Sequence, residues 1–233
     1  MSSTVVIHQP DFAPYLGFFD RFLHADLYIV LDHVQFVTNT SRSWTHRDKI
    51  RTAAGERWLT LSVKSAPRGT PINRIELSDT TDWAGNNLNL LRESYRRAAY
   101  FADIMPLIED LYRDPPRLLW EFNLRSIEML MDLFSVRLPW VLSSTLDPQG
   151  ASNEMLIDLL GKVGAKRYLS GTGARAYMNE ALFSEAGIEV VWQDFQHPVY
   201  PQPFEGFVPN LSALDALFNC GVTGARRLLR GES

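Results

Sequence analysis

One cysteine, Cys220, occurs in the 233 residues, so no internal disulfide can form and a bridge-stapled fold is excluded. No apolar run approaches the roughly 20 residues of a membrane span. Basic residues are not in excess: 23 Lys and Arg face 27 Asp and Glu, a formal net charge of -4, which argues against a nucleic-acid partner. Internal repeats, low-complexity tracts and a clear domain linker are lacking as well. The opening MSSTVV enters an apolar run without the basic and hydrophobic regions of a signal peptide. These absences lead to the expectation of a soluble, cytoplasmic protein folded as a single domain over 1–233. What is present suits that expectation: 45% of residues are apolar and the mean hydropathy is -0.13, ordinary values for a chain able to bury a full core.

The stretch from Val5 to Phe36 organises the rest. Val5-Val6-Ile7 and Leu27-Tyr28-Ile29-Val30-Leu31 are short, continuous, β-branched or aromatic runs, the pattern of strands buried on both faces. Between them Pro10 and Pro14 mark a loop, and Gly17 to His24 has helical spacing. Strand, loop, helix, strand is a parallel crossover unit. Further strands are expected at 138–145, 167–170 and 188–192, separated by helices. The repeated order predicts an α/β fold with a mainly parallel sheet and flanking helices, Rossmann-like or HIGH-nucleotidyltransferase-like. Residues 38–135 interrupt that order with a hairpin turning at Ala53 to Gly55, a short strand at 72–77 and three helices, the last over 117–134. This segment reads as a hairpin-plus-helical insertion or lid. A helix through Tyr177 and Leu182, and two short helices at 212–218 and 222–229, complete the expected elements.

In open α/β sheets ligands sit beyond the carboxyl ends of the strands. His8, Gln9 and Asp11 follow the first strand, and Asp32, His33 and Gln35 follow the second. His8 and Asp32, at adjacent strand ends, form one candidate acid/base pair. His197 is the leading single candidate for a general base, because it stands in a Pro-rich loop with Asp194 three residues earlier and Tyr200 three later. Arg42, Arg47, Lys49 and Arg51 make a local cationic face for an anionic part of a substrate, with Arg47 best placed for bidentate contact; a solvated strand face is the plainer alternative. Trp44, Tyr15 and Tyr200 are of the kind that stacks on a sugar or base, or simply packs. Gly171-Thr172-Gly173, after a strand ending in Ser170, either cradles phosphate or makes an ordinary turn. Cys220, just ahead of a helix, is a candidate nucleophile with simple burial as its alternative. His8, Asp32, His33 and His197 lack the close spacing of metal ligands, so no metal site is predicted.

Several blocks taken in order, HQPDFAPYLGFFDRF, LDHVQF, SRSWTHRDKI, YLSGTGARAYM, IEVVWQDFQHPVYPQ and LSALDALFNCG, resemble the WbqC-like protein family. The likeness covers nearly the whole chain apart from the helical middle. It implies a bacterial enzyme of surface-polysaccharide (O-antigen) or natural-product biosynthesis that transfers an amino acid, notably glycine, to form an amide on a sugar. The family's blocks fall on Gln9, Pro10, Tyr15, Gly17 and Asp20, on Asp32 and Gln35, and on Trp44 and Arg47. They also fall on Ser170, Gly171 and Tyr177, and on Asp194, His197, Pro198, Tyr200 and Pro201. A second likeness, to adenylate-forming enzymes of the HIGH nucleotidyltransferase type such as pantothenate synthetase, leaves ATP open as a co-substrate. Tyr15 and Phe18, however, stand where those enzymes carry their paired histidines.

The function expected is therefore aminoacyl transfer from an amino-acid donor to a sugar or nucleotide-sugar acceptor. His197 and Asp194 would move the proton, Gln9, Asp32 and Gln35 would orient a substrate, and Arg47 would hold its anionic portion. The alternatives are an ATP-dependent amide ligase working through an acyl-adenylate, and a non-catalytic sugar- or nucleotide-binding module of a biosynthetic complex.

Overall fold

The structure, a computed structural model, describes residues 3–38 and 43–232. Arg42, one of the cationic candidates, lies outside the described residues. Five strands form one parallel sheet: β1 (Thr4–His8), β2 (Leu27–Val30), β5 (Trp140–Leu142), β6 (Arg167–Ser170) and β7 (Glu189–Trp192), in the spatial order β5-β2-β1-β6-β7. The helix α1 (Leu16–Leu23) connects β1 to β2, and α5 (Ser152–Lys162) and α6 (Glu180–Glu185) precede β6 and β7. The two-residue period of a strand divides the core. Val5, Ile7 and Ile29 face Leu159 and Leu160 of α5 and Phe183 of α6. Val6, Tyr28 and Val30 face the other way, into a larger cluster with Phe18, Phe19 and Phe22 of α1. Both faces are thus covered, as a parallel sheet requires.

Residues 38–135 contribute the antiparallel hairpin β3 (Arg47–Thr52) and β4 (Gly55–Thr60), then α2 (Trp83–Tyr95), α3 (Phe101–Arg113) and α4 (Leu119–Phe134). Their apolar side chains, Ile50, Leu91, Ile108 and Phe122 among them, join the cluster built on Val6 and Val30, so this segment is a layer of the core itself. The last helix, α7 (Ala213–Arg230), starts where the Ser212 side chain accepts from the N–H of Leu214, and it bends at Gly221, whose φ of 66° lies outside the helical range. The two short helices expected near the end are its two halves.

Two expected elements are different in the structure. The first half of the strand expected at 72–77 is a 3-10 turn over Ile72–Arg74, where the Asn73 N–H donates to the carbonyl of Asp32, and only Glu76 and Leu77 make isolated antiparallel bridges, to Leu118 and Val63. The helix through Tyr177 is a 3-10 turn at Thr172–Ala174 followed by an exposed bend; α6 begins only after Asn179, whose side chain caps it by accepting from the N–H of Ala181. Among the described residues no helix is long and apolar enough to cross a membrane.

Candidate functional site

The strand order reverses direction at β1: β2 and β5 lie to one side and β6 and β7 to the other. Such a switch point opens a crevice. Register widens it here. β1 pairs with β2 through His8, opposite Val30, but with β6 only at Thr4 and Val5. Beyond those residues the carboxyl ends of β1 and β6 are no longer bonded to each other. A cavity of about 690 Å³ occupies the space, within the range of small-molecule sites.

The loop after β1 forms one wall and is tightly held. Ala13 adopts a left-handed φ of 41°, a conformation that a non-glycine residue keeps only when its surroundings fix it. Those surroundings are specific: the Ala13 N–H donates to the Ser126 hydroxyl of α4, and its carbonyl accepts from the Ser212 hydroxyl at 2.6 Å. Asn123 of α4 donates to the carbonyls of Pro10 and Thr45, and the Thr45 hydroxyl donates to the side-chain oxygen of Gln9. Hence α4 and the segment before β3 fix the loop that presents His8, Gln9, Asp11 and Tyr15 to the cavity.

His8 and Asp11 sit together on this wall. The His8 Nδ1 lies 3.0 Å from the Gln9 carbonyl and 3.5 Å from Asp11 Oδ2, and its ring meets the Phe18 ring edge-on. With Nδ1–H donating to that carbonyl, Nε2 carries the lone pair. Burial, helped by the Arg21 guanidinium, lowers the His8 pKa to about 3, so the imidazole is neutral at physiological pH. Burial also raises the Asp11 pKa to about 7, against the opposing pull of Arg21 and of the Thr45 hydroxyl.

Arg21 was not singled out by the sequence. It lies on α1 between Phe19 and Phe22, is 3% exposed and lines the cavity. Its side chain makes no ion pair or hydrogen bond among the described residues; its Nε is buried without a partner, and its guanidinium rests over the Phe18 ring at 5.4 Å. A buried ion left this way is costly unless something pairs with it. Asp48 of β3, 4% exposed, lines another part of the cavity, and burial raises its pKa well above the ordinary carboxylate value. Gln193, just past β7, donates from its side chain to the carbonyl of Gly17 and to Asp20, tying β7 to the first turn of α1.

Ser170, Gly171, Trp44 and Tyr177 also line the cavity, Ser170 buried and Tyr177 61% exposed at its mouth. Other candidates are placed elsewhere. Asp32 does not pair with His8. Its carboxylate accepts from the Ser143 hydroxyl, from the N–H and hydroxyl of Ser144 and from Asn73. Burial opposes its ionisation, but these four hydrogen bonds prevail and hold its pKa below the ordinary value. Gln35 is exposed and its backbone bridges to Pro71.

His197 is not among the cavity-lining residues. Its Nδ1 lies 3.0 Å from the Pro198 carbonyl, and its ring packs with Phe195, Tyr200 and Phe207. Asp194 is exposed and makes no hydrogen bond to it, so the expected His197–Asp194 dyad is not formed. Phe195 lies between, in edge contact with Tyr15 of the cavity wall. The Tyr200 hydroxyl is turned inward, donating to Asp215 of α7. The cationic face is spent on its own surroundings: Arg47 stacks over Trp58 at 4.1 Å, Lys49 pairs with Glu56, and Arg51 donates to the Glu205 carbonyl. Cys220 is half-buried on α7, its thiol pushed up to about 11 by burial and by the Asp215 carboxylate, the reverse of nucleophile activation. Among the described residues no group of three or more His, Cys, Asp or Glu side chains is arranged to hold a metal ion.

Fold and cavity together define an α/β protein with a five-stranded parallel sheet and a ligand-sized cavity at its switch point. The chain belongs to the WbqC-like protein family, whose model matches residues 9–227. It is 32% identical over 219 residues, 93% of this chain and 94% of the relative, to "uncharacterized protein Rv1507c" of Mycobacterium tuberculosis (strain ATCC 25618 / H37Rv). No solved structure matches the chain.

Proposed function

We propose that this protein is an enzyme that transfers an aminoacyl group, glycyl in the simplest case, to an amine on a sugar or related small molecule, forming an amide. The observation that carries the reading is the buried Asp11 carboxyl, pKa about 7, set 3.5 Å from the His8 imidazole in the cavity wall. Acyl transfer to an amine needs a base as the C–N bond forms and an acid as the bond to the leaving group breaks. In this reading Asp11, whose pKa of about 7 suits a base at neutral pH, takes the amine proton and returns it to the leaving group, while the neutral His8, anchored through Nδ1, helps to position the amine. The role first expected of His197 passes to Asp11. The nature of the acceptor is drawn from the family resemblance.

Purified protein given activated glycine donors and a panel of nucleotide-sugars is expected to yield an amide product. Asp11→Asn should cut turnover by about a hundredfold or more, the usual worth of a positioned base. Full turnover in that variant removes the assignment. One observation favours a second reading, an ATP-dependent ligase: the cavity opens between β1 and β6, with Gly171 and Thr172 lining it just past the β6 end. Pyrophosphate release dependent on both organic substrates selects that reading, and turnover indifferent to ATP excludes it.

A further inference from the structure

We propose that Arg21 is the docking point for a compact oxyanion, a carboxylate or phosphate group of the ligand, bound beside Gly171. This deepens the transferase reading, because it concerns the same cavity, but it rests on separate observations. Arg21 is 3% exposed and lines a cavity, with its Nε buried and lacking a partner. No carboxylate of the described residues lies within ion-pair distance of it. Its guanidinium carbon lies 5.4 Å from the centre of the Phe18 ring, a cation–π contact that leaves its N–H donors unused. The positive charge reaches His8, Asp11, Tyr15 and Tyr168, all on the cavity wall.

A planar fork of N–H donors, desolvated and pre-aligned, matches the two oxygens of a carboxylate or phosphate. The position of Gly171 fits this use. A Cβ built there would stand 3.8 Å from an Arg21 terminal nitrogen, so the guanidinium reaches the turn that ends β6. With the anion held there, the remainder of the ligand extends along the wall that carries His8 and Asp11. Asp48 also lines the cavity, but its carboxyl responds to Lys49 and Asp11 and not to Arg21. Burial pushes both Asp48 and Asp11 toward the protonated form, so Arg21 is the group that orients a ligand by charge.

Calorimetric titration of the full chain with inorganic phosphate and with acetate tests the assignment. At least one of them should bind in the millimolar range, and Arg21→Met should weaken it by at least about tenfold, the value of one charge-assisted contact. Tighter phosphate binding points to a phosphoryl-bearing ligand, and tighter acetate binding points to a carboxylate. Because Arg21→Met alters a packed helix, Gly171→Asp provides a second test that retains Arg21. Its carboxylate is expected to pair with the guanidinium, raise the melting temperature and abolish binding of either anion. Absence of anion binding by the native chain, or unchanged binding in Gly171→Asp, overturns the proposal. Since binding is read without turnover, a chain that binds anions but forms no amide defeats only the transferase reading. Amide formation without anion binding defeats only this one.

Discussion

Ser144 donates its hydroxyl at 2.6 Å and its backbone N–H at 2.9 Å to the carboxylate of Asp32, from 112 residues further along the chain. With Ser143 and Asn73 these bonds clamp the end of β2 to the turn after β5 and to the 3-10 turn that follows β4. Asp32→Ala leaves the buried Ser143 hydroxyl and the more exposed donors of Ser144 and Asn73 without their acceptor and is expected to cost about 2 kcal/mol. The folded pKa of Asp32 lies below the ordinary 3.8. Its stabilising contribution is therefore complete above pH 3.8 and disappears as pH falls through the lower, folded value. Urea denaturation of native and Asp32→Ala chains should show a gap that is constant near neutrality and narrows in acid. A gap that widens in acid contradicts the arrangement.

The two wall residues of the cavity titrate in opposite senses. Asp11 keeps its proton in the folded chain up to about pH 7 but loses it near 3.8 when unfolded, so its contribution to stability falls as pH rises through that window. His8 is neutral when folded above about pH 3 and protonated below 6.5 when unfolded, so its contribution rises with pH between those values. Asp11→Asn should thus gain on the native chain as pH is raised from 4 to 7, whereas His8→Gln should lose ground over much of the same range. Denaturation midpoints measured across pH decide the matter, and parallel curves would remove both assignments.

Gly17 is where the cavity wall meets the late loop. A Cβ at this position would lie 2.4 Å from the Tyr15 ring and 2.6 Å from that of Phe195. Gly17→Ala must therefore move Tyr15, Phe195 or α1, at an expected cost of about 2 kcal/mol. It should also weaken any ligand that rests on Tyr15. Thermal unfolding together with ligand titration would show the two losses jointly. An unchanged melting temperature would mean that the rings yield freely.

Cys220 and His197 are expected to be silent in catalysis. With its pKa at about 11, the Cys220 thiol should react slowly with iodoacetamide at pH 8, and Cys220→Ala should retain turnover. His197→Phe replaces a ring whose Nε2 is buried without a partner in an aromatic cluster, and it should be neutral or slightly stabilising. Rapid alkylation of Cys220, or loss of turnover in His197→Phe, would restore either residue to the site.

Much of the sheet was legible because period and composition act locally. Val5 to Ile7 and Leu27 to Leu31 could hardly be other than buried strands, and they place His8, Gln9 and Asp11 at the switch point. Arg21 was hidden by the same logic, since one arginine in an apolar helix ordinarily reads as the solvent face. Its burial depends on how α1 seats on the sheet and on what β6 leaves open beside it. Asp32 misled for the opposite reason: it stands at a strand end, but Ser143, Ser144 and Asn73 reach it from distant parts of the chain. His197 sits in a proline-flanked loop that looks like an active-site loop, yet Phe195 and Phe207 turn it into packing. Pairings across such separations are fixed by tertiary contact and leave no mark in local spacing.

The cavity wall begins at Ile7 and is not complete until Asn210, with Ser212 fastening the carbonyl of Ala13 from the start of α7. A nascent chain emerging from the ribosome therefore cannot close this cavity until residues 7 through 212 have all been made. The loop after β1 gains its Ser212 anchor only once both are outside the exit tunnel.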